Sequence, residues 1–228
     1  MSDVHGEAIF DFYKGDQSVV LKTYNSYGEP EQMPVAVFFR DHQDFTELEN
    51  LAITCCEGKI LDIGAGAGAH ALFMQAFEMD TTALENSPGC IETLRHSGMK
   101  KIVEDDFYTH QKQYDTLLFL MNGLGIAGKL TELPRFFEHC GKLLNKGGQV
   151  ILDSSDITYL YEEGATKPDH YFGEIRYQYE YNGKKGDWFD WLYVDSNQLI
   201  ETTQKLGLKT EILMTDEFDQ YLARITGF

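Results

Sequence analysis

A glycine run and a few carboxylates carry the chemistry that this chain declares. Ile60-Leu61-Asp62-Ile63-Gly64-Ala65-Gly66-Ala67-Gly68-Ala69-His70 follows an apolar strand and opens a helix. Glycines at such a turn let the backbone bend tightly and approach a ligand without Cβ interference. Glu85 stands about 20 residues past Gly64, at the end of the next strand, where a doubly wound sheet presents a carboxylate to ribose hydroxyls. The third strand ends in Val103-Glu104-Asp105-Asp106-Phe107. An acid there can accept from an adenine amino group while a neighbouring N–H meets a ring nitrogen. The chemistry is that of an adenosine-bearing cofactor.

Gly64-x-Gly66-x-x-Ala69 also fits a dinucleotide fingerprint, so a Rossmann-type NAD(P)-dependent reductase is one reading. Three features weigh against it. Asp62 sits two residues before the first glycine, where dinucleotide loops carry an apolar residue. The motif begins late in the chain, and little chain remains for a separate catalytic domain. Tyr181-x-x-x-Lys185 and Tyr108-x-x-x-Lys112 match a reductase catalytic pair in spacing, but that pair needs one helix face. The first spans an Asn-Gly turn and the second follows the cofactor loop too closely.

The elements that must position these residues read as one domain. Residues 1–54 form an N-terminal helical cap, with Asp44-x-x-Glu47 and Thr46-x-x-Glu49 as capping boxes for a helix. Residues 55–153 hold the cofactor-binding core. Its strands are Lys59 to Ile63, Thr81 to Leu84, Lys101 to Val103, Thr116 to Met121 and Gln149 to Leu152, alternating with helices. Pro88 opens one helix and Asn145-Lys-Gly-Gly stops another. Residues 154–195 form a loop and an aromatic hairpin, Glu174 to Tyr181 and Trp188 to Val194 around Asn182-Gly183. Residues 196–228 add a helix and two strands. Short buried runs separated by helices predict a mostly parallel sheet covered on both faces.

Asp62-Ile-Gly-Ala-Gly-Ala-Gly68, then Glu85, Asp105 and the strand-initial Tyr114-Asp115, resembles the class I S-adenosylmethionine methyltransferases. The likeness covers about residues 55–155, and the strand pair 208–226 fits that fold's antiparallel edge. It implies an α/β, Rossmann-like, doubly wound seven-stranded sheet, with an antiparallel C-terminal strand and the hairpin as an insertion. It implies S-adenosylmethionine as cofactor and in-line transfer of its methyl group. It implies cofactor contacts from Asp62, Ile63, Gly64, Ala65, Gly66, Glu85, Asn86, Asp105, Asp106 and Asn122. Asp62 either caps the loop or, as in the family, helps position the amino group of the cofactor's methionine part. Leu120-Met-Asn-Gly-Leu-Gly125, Asp153-Ser-Ser-Asp156 and Asp219-Gln-Tyr-Leu-Ala-Arg224 are similar to uncharacterised bacterial members. Glu78-Met79 departs from the glycine the family often has before its second strand.

No residue declares itself as a general base. Asn122 and His70 are the candidates. Asn122 lies just past the fourth strand, where class I enzymes present the methyl, or is simply a turn asparagine before Gly123. His70 is a base at the cofactor loop or a half-buried helix-start histidine. Asp153 invites comparison with magnesium-dependent relatives. Those need a second carboxylate at the fourth-strand tip, and the chain offers Met121-Asn122-Gly123, so no metal is expected. Tyr24, Tyr27, Asp153, Trp188 and Trp191 are acceptor-side candidates, with Asp187 or Asp190 to orient a cationic acceptor. The hairpin either overhangs the methyl end of the site or buries an aromatic face on the domain or a second subunit, leaving a homodimer open. A methyltransferase-fold protein that binds without turnover is the remaining alternative.

The 228 residues carry a formal net charge of −18, and the pI is near 4.6. Such a surface repels phosphate backbones and shows no basic stripe, so a small-molecule acceptor is expected and nucleic acid is not. The longest apolar run, Leu117 to Met121, is far short of a membrane span. Cys55, Cys56, Cys90 and Cys140 lack CxxC spacing, and no signal segment opens the chain; both point to the cytoplasm.

Overall fold

Asp3 starts the first helix by accepting the Gly6 N–H at 3.1 Å, and α1 runs Val4–Tyr13. The structure, a computed structural model, describes residues 3–162, 164 and 166–228. Strands β1 (Val20–Asn25) and β2 (Glu31–Pro34) follow, joined by a turn in which Asn25 accepts the N–H groups of Tyr27 and Gly28. The expected helical cap is therefore helical at its ends and stranded in its middle. Helix α2 (Glu47–Thr54) opens on the Thr46/Glu49 capping box, each partner bonding the other's backbone N–H.

The core then alternates as the sequence predicts: β3 (Lys59–Ile63), α3 (Ala69–Ala76), β4 (Asp80–Glu85), α4 (Pro88–His96), β5 (Ile102–Glu104), β6 (Tyr114–Phe119), α5 (Leu133–Leu143) and β7 (Leu144–Ser155). A short α6 (Tyr159–Glu162) leads to β8 (Glu174–Tyr181), β9 (Lys184–Lys185) and β10 (Phe189–Leu192). Helix α7 (Ser196–Lys205), β11 (Lys209–Thr215) and β12 (Gln220–Thr226) complete the chain.

Two sheets result. The large one has the order β11-β12-β7-β6-β3-β4-β5. Its central strands are parallel, and β12 runs antiparallel to both neighbours. Alternate side chains fill two layers: Leu61, Leu117, Phe119, Phe136 and Phe137 on one face, Ile60, Met74, Leu118, Ile151 and Leu222 on the other. Burial on both faces is why these strands read as continuous apolar runs. The direction of strand order reverses between β3 and β6, which opens a crevice at their carboxyl ends.

The second sheet, β10-β8-β1-β2 with β9 on β8, is antiparallel throughout. It joins the expected hairpin to the N-terminal strands, with Tyr179 opposite Thr23 and Phe189 opposite Tyr177. Helix α1 packs beneath it: Val4, Ala8, Ile9 and Phe12 meet Leu21 and Tyr181, together with Ala67 and Cys90 of the core. The aromatic hairpin is thus packed on the N-terminal strands and α1 rather than extended into solvent. Among the described residues, no helix is long and apolar enough to cross a membrane.

Candidate functional site

The loop after β3 turns on three left-handed glycines, Gly64, Gly66 and Gly68, with φ of 70°, 57° and 92°. The N–H groups of Gly64 and Ala65 both donate to Leu84 O, which fastens Ile63 and the loop to the end of β4. A β-carbon on Gly64 would meet nothing within 4 Å, and one on Gly66 only the Gly64 carbonyl at 3.9 Å. Gly68 differs, because a β-carbon there would strike Leu94. The first two glycines leave an open cradle, and the third lets α3 pack.

Glu85 commands that cradle. Its Oε2 accepts the Gly66 N–H at 2.8 Å, while Oε1 accepts those of Asn86 at 2.8 Å and Ser87 at 2.9 Å. Each oxygen has two lone-pair directions, so Oε2 retains one. Asp62 lies beneath the loop, 4% exposed. Burial pushes its pKa up to about 6; His70 pulls it back, and the charge of Glu85 pushes it the same way as burial. Beyond Glu85, a cleft of about 460 Å³ runs along α4, lined by Asn86, Pro88, Ile91, Arg95, Asp105 and Asp106. Asp105 Oδ1 accepts from the Asp106 N–H and the Thr109 hydroxyl, and its Oδ2 faces His110 Nδ1 at 3.5 Å. The Thr109 bond, more than any other contact, holds its carboxyl below the usual range. Asp106 commits Oδ1 to the Tyr108 N–H.

Cradle, ribose-height carboxylate and flanking cleft lie in one line across the ends of β3, β4 and β5, which fits an adenosine group. The chain is similar to an S-adenosylmethionine-dependent methyltransferase from Bacteroides fragilis solved in complex with S-adenosyl-L-homocysteine. The two are 34% identical over 98% of this chain and 94% of that one, with a TM-score of 0.90. The chain belongs to the S-adenosylmethionine-dependent methyltransferases. More distant structures show the same fold: the CcbJ methyltransferase of Streptomyces caelestis (13% identity, TM-score 0.62, 79% of this chain and 94% of that one) and DhpI (17%, 0.60, 99% of each). No protein-family model matches the chain, and no curated protein matches it. The reductase reading falls with this assignment.

The methyltransferase's other site candidates lie just past the end of β6 and near the end of β7. Met121 and Asn122 both adopt left-handed backbone, with φ of 56° and 57°. Two adjacent non-glycine residues in that region store strain that the surroundings must hold. Asn122 supplies the restraint. Its N–H donates to Asp153 Oδ1 at 2.8 Å, its Nδ2 to Leu192 O at 3.1 Å, and its Oδ1 accepts the Ser154 hydroxyl at 2.8 Å. Asn122 therefore braces the second sheet against β6 and β7. Asp153, 1% exposed, also accepts Gln220 Nε2, and burial raises its pKa to about 6.

His70 is engaged as well. Its Nε2 lies 2.8 Å from Glu49 Oε1, and its ring packs on Phe45. Glu49 takes a forked pair of bonds from Arg40 at 2.9 and 2.5 Å. Burial opposes charge on Glu49, but the His70 and Arg40 hydrogen bonds hold its carboxyl far below the ordinary range. Glu49 thus fixes the orientation of the His70 ring, and His70 in turn acts on Asp62.

The acceptor-side candidates divide by strand parity. Trp191 points inward, and a β-carbon on Gly125 would overlap its indole. Tyr27 meets Tyr177 edge-on. Tyr24 and Trp188 require correction. Tyr24 pairs with Gln178, bonds Glu180 and lies under Lys22 and Lys185, all on the outward face. Trp188 is 42% exposed and carries the Arg176 guanidinium over its ring. Asp190 is likewise outward, paired with Arg176 and Lys129. Asp3 and His5 were not anticipated. Asp3 accepts the Ser87 hydroxyl and the Gly89 N–H, pinning α1 beside Glu85. His5 stacks on Tyr179 and meets Phe38 edge-on. Locally Asp3 is only a helix N-cap, and no local pattern marks these contacts, because their partners lie far away in sequence.

Among the described residues, no group of three His, Cys, Asp or Glu side chains gathers as a metal site would require.

Proposed function

We propose that this methyltransferase binds S-adenosylmethionine along Gly64 to Gly66, Glu85, Asn86 and the Asp105–Asp106 tip, and methylates a small molecule held beneath the second sheet. The single observation that carries the acceptor half is the brace at Asn122. By bonding Leu192 O and Ser154 together it seats the sheet's inward face over the strand ends, where the methyl group would be offered. Bound S-adenosylmethionine supplies the methyl on a sulfonium leaving group, so the protein's task is alignment and exclusion of water. Glu85 holds the ribose, Asp62 faces the methionine amino group, and Trp191 and Asn122 fix the height of the roof.

A roof of aromatic side chains close over the strand ends suits a small acceptor better than a duplex, and the net charge of −18 opposes nucleic acid. The four cysteines are unpaired, which agrees with a reducing, cytoplasmic setting. An acceptor screen read by S-adenosylhomocysteine release is the test. Turnover on a small molecule with no transfer to bulk RNA or protein supports the reading. Cofactor binding without transfer to any acceptor would favour a binding role.

A further inference from the structure

The second sheet has two chemically different faces. Lys22, Arg176 and Lys185 stand on the outward one, against Tyr24, Glu180, Asp190 and Trp188. The inward face presents Tyr177, Tyr179, Phe189, Trp191 and Tyr193. Lys184, at its far end, is paired with Glu7 on α1. The inward rings form a continuous run. His5 stacks on Tyr179 at 5.4 Å, Tyr179 meets Phe189 at 5.2 Å, and Phe189 meets Tyr177 at 6.1 Å and Trp191 at 6.1 Å. Tyr27 stands edge-on to Tyr177, whose hydroxyl reaches that of Tyr193 at 3.3 Å. All these rings are half-buried rather than sealed in a core.

The charges that bear on this face are negative. Asp153 and Glu31 act on Tyr193, Glu31 acts on Tyr27, and Glu85 and Asp3 act on His5. Burial first raises both phenols; Glu31 adds to it at Tyr27, while at Tyr193 a Tyr177 hydrogen bond opposes it and Tyr159, Asp153 and Glu31 add to it. Burial lowers the His5 pKa against the opposing pull of Glu85 and Asp3. Arg40, the nearby guanidinium, is forked onto Glu49. The carboxylates stand at the rim of the ring run, with Tyr27 bonding Glu31 at 3.3 Å, and aromatic faces bordered by carboxylates attract an organic cation and repel an anion.

We propose that the acceptor is an amine, drawn to this aromatic face as its ammonium and methylated at nitrogen. The proposal rests on the cofactor and acceptor reading above. In the transfer step, the free amine's lone pair forms the new N–C bond while the C–S bond breaks and sulfur keeps the pair. The ammonium gives one proton to water before attack, which frees that lone pair, and the methylated product leaves carrying the positive charge on nitrogen.

Tetramethylammonium is the probe, titrated by NMR into protein saturated with S-adenosylhomocysteine, beside the neutral tert-butanol and the anion acetate. The expected result is a preference for tetramethylammonium of about tenfold or more over tert-butanol, with acetate weakest. Phe189→Leu and Tyr177→Leu, each reducing the ring run, should diminish that preference while S-adenosylhomocysteine affinity holds. In parallel, 2-phenylethylamine should yield more S-adenosylhomocysteine from the wild type than 2-phenylethanol. Equal binding of the cation and tert-butanol would overturn the proposal. So would cation binding that vanishes once S-adenosylhomocysteine is present, which would assign the rings to the cofactor's sulfonium. Failure of S-adenosylhomocysteine itself to bind would overturn the cofactor reading beneath it.

Discussion

The indole of Trp191 lies so close to the backbone of Gly125 that no β-carbon could be added there. Together with the Asn122-to-Leu192 hydrogen bond, this contact ties the second sheet to the turn after β6. Gly125→Ala should therefore lift the roof without touching the cofactor cradle. Overpacking of this kind costs about 1–3 kcal/mol, and each kcal/mol lowers Tm by about 2–4 °C in a chain of this size. S-adenosylhomocysteine affinity should hold while turnover falls. Adding Trp191→Ala should recover part of the lost stability, because the clash disappears with the indole. Strictly additive losses in calorimetric melting would show that the contact is not the one described.

The proposed contact between Asp62 and the cofactor's amino group predicts that binding depends on pH. Its pKa in the folded protein is raised to about 6, and a cationic amino group is held better by the carboxylate than by the acid. Affinity for S-adenosylhomocysteine should be flat above about pH 7. It should weaken below about pH 6, approaching tenfold per pH unit. Asp62→Asn should bind weakly at every pH with little slope. Titration calorimetry between pH 5 and pH 8 checks this, and parallel profiles for the two proteins would remove Asp62 from the amino-group contact.

Asp153 links pH to stability instead. Its folded pKa of about 6 lies above the ordinary value of 3.8, so the folded state binds its proton more tightly than the unfolded chain does. The stability this gives is fully present below about pH 4 and lost as pH rises through about 6. It amounts to as much as about 3 kcal/mol. Asp153→Asn, with Gln220 turning its amide to match, should gain on the wild type across that window and hold a constant advantage above it. Urea unfolding at pH 4, 5, 6 and 7.5 measures the difference; a gap that does not change with pH contradicts the assignment.

At the adenine end, Asp105 and Asp106 separate by their existing bonds. Asp105 caps its own turn through Thr109 and the Asp106 N–H, whereas among the described residues Asp106 commits only Oδ1. Asp106→Ala should weaken S-adenosylhomocysteine binding by about three- to tenfold at unchanged Tm. Asp105→Ala should lower Tm. An affinity loss confined to Asp105→Ala, with Tm preserved, would reverse the two roles.

Much of the cofactor half was legible because its signals are local. Gly64 and Gly66 declare a left-handed turn, Glu85 sits where a strand ends, and Asn182-Gly183 closes a hairpin. The acceptor half depends on register between strands far apart in the chain. Val20 to Asn25 alternates as a half-buried strand should, but nothing local says that Thr23 will face Tyr179. Without that pairing, the parity that sends Tyr24 and Trp188 outward and Tyr177 inward cannot be assigned. Asn122 reads as a turn residue, and its role as a brace emerges only once Leu192 and Ser154 converge on it.

Binding through Glu85 tests the central claim most directly. Titration calorimetry of S-adenosylhomocysteine should show one site on the wild type. Glu85→Ala should weaken it by about ten- to a hundredfold, the loss of a charged ribose contact worth about 1.5–3 kcal/mol. Glu85→Gln keeps a single acceptor oxygen, so it can hold either the Gly66 N–H or those of Asn86 and Ser87 but not both, and it should fall between the two. Unchanged affinity in a folded Glu85→Ala protein, or no binding by the wild type at all, would contradict the account.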